Sequence, residues 1–343
     1  MQINHSFDPC ERISKIDFNN PIHLRKVLAR DKHTRIEGIC TEAIFVDDLI
    51  KESFSKYSTG WWFPRRKTGY HVVKIFSAID SITELDKEIL AFFCTKEVPT
   101  YIVSFNDFEK AFYYLRIDDK VLDSFNNQWD KKKKEYPRTN SPPPLPASAY
   151  RSQERLEKAF DILESLNLLK KSAIERVLAN CFINAKGLWD IDTFSMVDNQ
   201  LIAFEVKQKY PTKKGTFGLN TGLAKLFHFL NDISVRVIHI ILTKPSSIKS
   251  IPATDYYTQD KYKGKSMWIG TDFSGEILSS SISSAPTETS IFSNQHLNYY
   301  HIYPESFTRL KLLKENQKNT LMKYLNGSLN KLSNVDEIPQ MTN

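Results

Sequence analysis

The stretch DIDTFSMVDNQLIAFEVKQK, running from Asp190 to Lys209, constrains the fold of this chain more than any other. It reads as two apolar strands joined by a turn, with Asp190, Asp192, Glu205 and Lys207 set among residues that belong in a core. A charge carried into a core strand is costly unless something pairs with it. The turn is read at Asp198-Asn199, because Asp and Asn tolerate the left-handed backbone of a two-residue hairpin. Directly opposed residues share a sheet face. That loop places Asp192 across from Glu205 and Asp190 across from Lys207. Residues two apart on a strand also share a face, so three acids and a lysine gather on one side. Ile191, Val197, Ile202, Phe204 and Val206 fall on the other, a dry packing surface. A slip of one residue would send Asp192 to the face away from Glu205.

Two like charges directly opposed are destabilising, and a hard divalent cation with oxygen ligands resolves the conflict. Mg²⁺, with Mn²⁺ as a substitute, is therefore the expected cofactor, held by Asp192 and Glu205 with the Val206 carbonyl as a further ligand. Lys207 beside it can orient or deprotonate a water and stabilise charge developing on a phosphate.

At 343 residues the chain is longer than one compact domain usually is. Residues 1–127 read as a mixed α/β unit: PTYIVSF and KAFYYLRI flank NDFE as a hairpin, and SITELDKEILAFF has helical spacing with Ser81 as its N-cap. Residues 128–149 combine the Lys131–Lys134 run with clustered prolines, and read as an extended linker. Residues 150–278 follow the order helix, strands, helix, strand. Here YRSQERLEKAFDILESLNLL is a helix, KSAIERVLAN a second with Ser172 at N-cap and Glu175 at N3, and CFINAKGL, WDIDTFSMV and QLIAFEVKQK are strands. TGLAKLFHFLNDI is a further helix, with Asn220 and Thr221 as capping residues, and VRVIHIILT has the continuous apolar run of a strand buried on both faces. Residues 279–343 form a Ser/Thr-rich extension with one helix expected over 304–325 and a polar tail.

The chain carries a net charge of +7. Such an excess suits a polyanionic partner, since each neutralised phosphate releases counterions. No apolar run reaches the roughly 18 residues of a membrane span. The first residues lack the basic-then-apolar order of a signal peptide, and the four cysteines show no paired spacing. A cytoplasmic location without a membrane partner is therefore expected. No Gly-rich phosphate loop or G-x-S-x-G occurs, which leaves a nucleotide cofactor or acyl transfer without support.

The pieces DIDTF and LIAFEVKQK, preceded by SAIERVLA, resemble the PD-(D/E)XK nuclease superfamily, which includes restriction enzymes and Holliday-junction resolvases. The likeness covers about residues 172–273. It implies that Asp192 and Glu205 bind Mg²⁺, that Lys207 assists the attacking water, and that Glu175 on the preceding helix joins the metal site. Glu154 and Glu157 compete with Glu175 for that last place. Ile191 stands where the name-giving proline of the family would be.

The expected fold is thus α/β: a C-terminal restriction-endonuclease-like core, a mixed central sheet flanked by helices, with a separate N-terminal mixed α/β domain. The expected function is a Mg²⁺-dependent DNA endonuclease of the restriction or phage-defence kind, with a homodimer supplying two sites for two strands. The alternatives are a structure-specific resolvase or repair nuclease, and a non-cleaving nucleic-acid-binding module on a nuclease fold. Lys209, Lys213 and Lys214 just past the site are candidate backbone contacts. Arg65 and Arg66 in GWWFPRRKTGYH are candidates too, since stacking with charge suits nucleic acid. His228 and His239 lie in apolar elements and read as core residues.

Overall fold

The computed structural model describes residues 16–29, 31, 33–76, 82–118, 125–135, 152–179, 187–245, 251–262, 264–286 and 296–339. Contacts divide the chain into two compact units, each drawn from three stretches. The first holds Met1–Asp31, Ser58–Pro146 and Phe160–Ile191; the second holds Lys32–Tyr57, Ala147–Ala159 and Asp192–Asn343. Both are mixed α/β, with mixed sheets flanked by helices.

The sheet of the first unit contains β1 (Trp61–Arg66), β2 (Gly69–Tyr70), β3 (Val72–Phe76), β4 (Thr100–Asn106), β5 (Ala111–Ile117), β6 (Lys134–Glu135) and β7 (Gly187–Ile191). The order β2-β1-β3-β4-β5-β6 is antiparallel except between β3 and β4, and β7 pairs with β1. The parallel β3–β4 pair needs a crossover, supplied by the helix Glu84–Thr95. Its cap is Thr83, with Asp86 completing a capping box. The expected cap Ser81 lies outside the described residues. The helix buries Phe93 against Trp61 and Phe63, with ring centroids 6.1 and 5.9 Å away. Gly60 (φ +81°) lets the chain turn into β1; a Cβ there would meet the Ile75 carbonyl oxygen at 3.1 Å. Pro21–Leu28 and Leu169–Ala179 are further helices of this unit, and Arg176 of the second pairs with Asp31, just past the end of the first.

Two expectations change here. Ser172 is not an N-cap. Its N–H bonds to the Leu168 carbonyl inside a helix that starts at Leu169, directly after a left-handed Asn167. The Lys131–Lys134 run is not extended linker: it closes a helix (Phe125–Lys132) and opens β6, which pairs with Tyr113 and Tyr114. The rest of that stretch, 136–149, and most of CFINAKGL lie outside the described residues.

The second unit has a five-stranded sheet of β8 (Thr193–Val197), β9 (Gln200–Lys209), β11 (Arg236–Thr243), β12 (Met267–Asp272) and β15 (Thr308–Leu312), ordered β15-β12-β11-β9-β8. A smaller sheet orders β10 (Phe217–Asn220), β14 (His296–Ile302) and β13 (Ile282–Pro286) as β10-β14-β13. Central β9 and β11 run parallel and are almost wholly buried, as their continuous apolar runs require. The helix His33–Phe45 covers one face through Phe45, which meets Phe204 and Trp268. It is anchored by the buried Glu37, whose carboxylate receives both forks of the Arg155 guanidinium. The helix Thr221–Asp232 covers the other face through Phe227, and Asn220 caps it by accepting from Gly222 N and Leu223 N.

The helix expected over 304–325 is instead a 3₁₀ turn, strand β15 and a short helix, Thr320–Leu325. Phe307, Leu310 and Leu313 have helical spacing, yet the edge of β12 takes this segment as a strand.

Candidate functional site

The hairpin forms at the expected turn. Asp198 and Asn199 both have positive φ, +48° and +63°, and Val197 faces Gln200. Its ladder runs to Thr193–Phe204 and stops one residue short of the expected Asp192–Glu205 pair. At Asp192 the chain leaves one sheet and belongs upstream to another. Asp190 therefore lies opposite Trp62 on β1, not opposite Lys207. β1 supplies a partner that no local pattern of the hairpin announces.

Asp192 still reaches β9. Its Oδ2 accepts a hydrogen bond from Val206 N at 2.6 Å, beside Glu205. Glu205 is 1% exposed, and its Oε1 lies 2.5 Å from Lys207 Nζ. The second oxygens, Asp192 Oδ1 and Glu205 Oε2, are buried and stand outside these two contacts. Lys207 is about one-third exposed, so its ammonium group faces both the acid and water.

Lys209 turns inward and donates to the Gly218 carbonyl. Burial, then repulsion from Lys207, lowers its ammonium to about 8, with Glu205 opposing. Lys213 and Lys214 are exposed in the turn before β10. Arg65 and Arg66 are exposed in the first unit, with Arg65 over the Tyr70 ring. Glu175 also belongs to the first unit, 3.8 Å from Lys171; burial raises its carboxyl above the usual range, with Lys171 opposing and Asp190 adding. Glu154 and Glu157 belong to the second unit, and Glu154 pairs with Lys158.

His239 joins this group. It is buried and paired in register with Glu205 across the parallel β9–β11 ladder, and its Nδ1 lies 3.2 Å from the Glu205 carbonyl oxygen. Burial, then Lys209 and Lys207, hold the imidazole well below its ordinary value, so the ring is neutral. A carbonyl oxygen only accepts, which assigns the proton to Nδ1. His228, in contrast, is exposed on its helix, 3.5 Å from Asp232.

The donor set of Asp192 and Glu205 is all hard oxygen, which fits Mg²⁺ or Mn²⁺. Among the described residues, no group of three or more His, Cys, Asp or Glu side chains is disposed to hold a metal ion. A divalent ion would therefore rest on two carboxylates, waters and substrate oxygens, the usual habit of Mg²⁺. No helix of the described residues is long and apolar enough to cross a membrane. Comparison with protein-family models, with curated proteins and with solved structures finds no match for this chain.

Proposed function

We propose that this chain is a Mg²⁺-dependent endonuclease hydrolysing phosphodiester bonds in DNA, of the restriction or phage-defence kind, working in the cytoplasm. The second unit would be its restriction-endonuclease-like core. The observation that carries the reading is the pair of buried acids at the open end of one hairpin, Asp192 on the Val206 amide and Glu205 on the partly exposed Lys207. Asp192 and Glu205 would hold the metal, with the Val206 carbonyl as a further oxygen. The bound ion would lower the pKa of a water and neutralise phosphate charge. The Val206 N–H keeps the Asp192 carboxylate turned toward β9. Lys207 would orient the attacking water and stabilise the charge developing on a non-bridging phosphate oxygen.

Incubating plasmid, linear and branched DNA, and RNA, with Mg²⁺ or EDTA tests this. Metal-dependent DNA cleavage lost in Glu205→Ala is the expected result. Cleavage in EDTA, or cleavage that survives the substitution, would overturn it. Cutting confined to branched DNA would point to a resolvase or repair nuclease. A second reading, a nucleic-acid-binding module that does not cut, draws on the Lys207–Glu205 pair, since an acid already neutralised within the chain has less call for a metal. Binding without cleavage in any metal would select it.

A further inference from the structure

We propose that the first unit carries a binding platform for single-stranded nucleic acid, on the part of the sheet face that bears Tyr101, Tyr114, Arg66 and Arg116, beyond the buried Trp62. It rests on the reading above for the class of polymer but not for its hydrolysis.

The pairing assembles this face across four strands. Trp62 stands opposite Val73, Val73 beside Tyr101, and Tyr101 opposite Arg116. Tyr114 follows two residues before Arg116, and exposed Lys134 stands opposite it on β6. Opposed residues and residues two apart share a face, so Arg66 lies on the Trp62 side of β1. The other face is buried beneath the Glu84–Thr95 helix. On the platform face, one end is closed by Phe18, 4.5 Å from Phe105. At the other end Tyr101 and Tyr114 are half-buried while Arg66 and Arg116 stay exposed.

The rings form a continuous aromatic run. His71 stacks on Tyr101 at 5.8 Å and 12°, and Tyr101 lies 6.4 Å from Tyr114. Burial, then the charges of Arg66 and Arg116, lower the His71 imidazole below its ordinary value. Among the described residues neither guanidinium makes an ion pair. Two acids border the face, Asp190 opposite Trp62 and exposed Asp118 past the end of β5. Arg66, Arg116 and Lys134 outnumber them.

Flat, partly exposed rings flanked by exposed cations suit unstacked bases with their phosphates. A duplex keeps its bases stacked on one another and would use only the cations. An acidic protein would likewise leave the rings without a role.

The test is a fluorescence-anisotropy titration of the full chain with a labelled oligo(dT) strand, in EDTA so that nothing is cut. Wild type is expected to bind, and Arg66→Ala/Arg116→Ala to weaken binding about ten-fold or more, with the salt slope reduced by about 1.4 for two lost phosphate contacts. Tyr101→Leu keeps the apolar volume and should weaken binding about five-fold or more through lost stacking. The proposal is overturned if wild type binds no strand, if the double variant binds like wild type, if a duplex of the same sequence binds as tightly, or if poly-glutamate competes as well as the strand. Binding here with no cleavage in the Mg²⁺ incubation would sink the nuclease and leave the platform; cleavage in Mg²⁺ with an insensitive double variant here would do the reverse.

Discussion

Each unit buries an acid–lysine pair on its sheet, and the two pairs are finished differently. In the first unit Lys74 Nζ lies 2.7 Å from Asp86 Oδ1 and donates to Ser58 Oγ at 2.8 Å and to the Thr59 carbonyl at 2.5 Å. Asp86 Oδ2 accepts from both the N–H and the hydroxyl of Thr83. The Ser58 hydroxyl donates to Asp86 and accepts from Trp61 Nε1, which leaves it nothing to offer a substrate. Both charged side chains are about 5% exposed or less. In the second unit Glu205 is as deeply buried, but its partner Lys207 is 34% exposed. A pair enclosed at both ends is architecture, whereas a pair whose lysine reaches water can meet a substrate.

Removing the acid from each pair breaks the comparison open. Asp86→Asn strands Lys74 where it cannot hydrate, and is expected to cost about 3–5 kcal/mol in urea unfolding. Lys74→Met/Asp86→Leu should recover most of that loss, since apolar residues of similar volume replace buried ion pairs well; a double variant as unstable as the single would refute the enclosed-pair account. Glu205→Gln leaves Lys207 in reach of water, so its unfolding free energy should stay within about 1 kcal/mol of wild type. Under the proposed chemistry the same substitution lowers DNA hydrolysis on the order of 10²-fold or more, read as initial rates in Mg²⁺. A large stability loss with hydrolysis unchanged would place Glu205 with Asp86 as a structural acid.

The hairpin was legible because its information is local: a turn tolerant of left-handed backbone and an alternation that fixes the register. The fate of Asp190 was not, because β7 pairs with β1, more than a hundred positions earlier in the chain, and nothing between Ile191 and Thr193 marks a break. β15 failed for the same reason, its apolar residues fitting a helix until a remote edge strand claims them. His239 reads as core from its apolar neighbours, and it is core. Its place beside Glu205 depends on a parallel register that sequence spacing does not encode. The platform face was half visible in Arg66, but Arg116 and Tyr101 reach it only through β3 and β4.

A smaller effect sharpens the same contrast through pH. Burial lowers the Lys74 ammonium to about 8 from its ordinary 10.5, with Asp86 opposing. Between those values the unfolded chain binds the proton that the folded chain has released, so unfolding free energy gains from this group as pH rises across the window. Below about 8 both states hold the proton and the burial penalty is felt in full. Wild type should therefore gain on Lys74→Met/Asp86→Leu between pH 8 and 10 in parallel urea titrations. A difference that stays flat would mean that Lys74 keeps its proton throughout.

The smallest expected effect concerns the hydroxyl that holds Asp86 in place. Thr83 caps the Glu84–Thr95 helix, its Oγ accepting from Asp86 N at 3.1 Å while its O–H donates to Asp86 Oδ2 at 2.8 Å. Thr83→Ala should cost about 1 kcal/mol, as a lost cap does. Asn220→Ala, which removes the cap of the helix over Glu205, should cost about the same. The two caps differ in coupling. Thr83 and Asp86 share hydrogen bonds, so a double-mutant cycle between Thr83→Ala and Asp86→Asn should show an interaction of about 0.5 kcal/mol or more. Among the described residues Asn220 shares no partner with Asp86, and its cycle with Asp86→Asn should close to within about 0.5 kcal/mol. Equal coupling in both cycles would deny that the enclosed pair and its cap form one network.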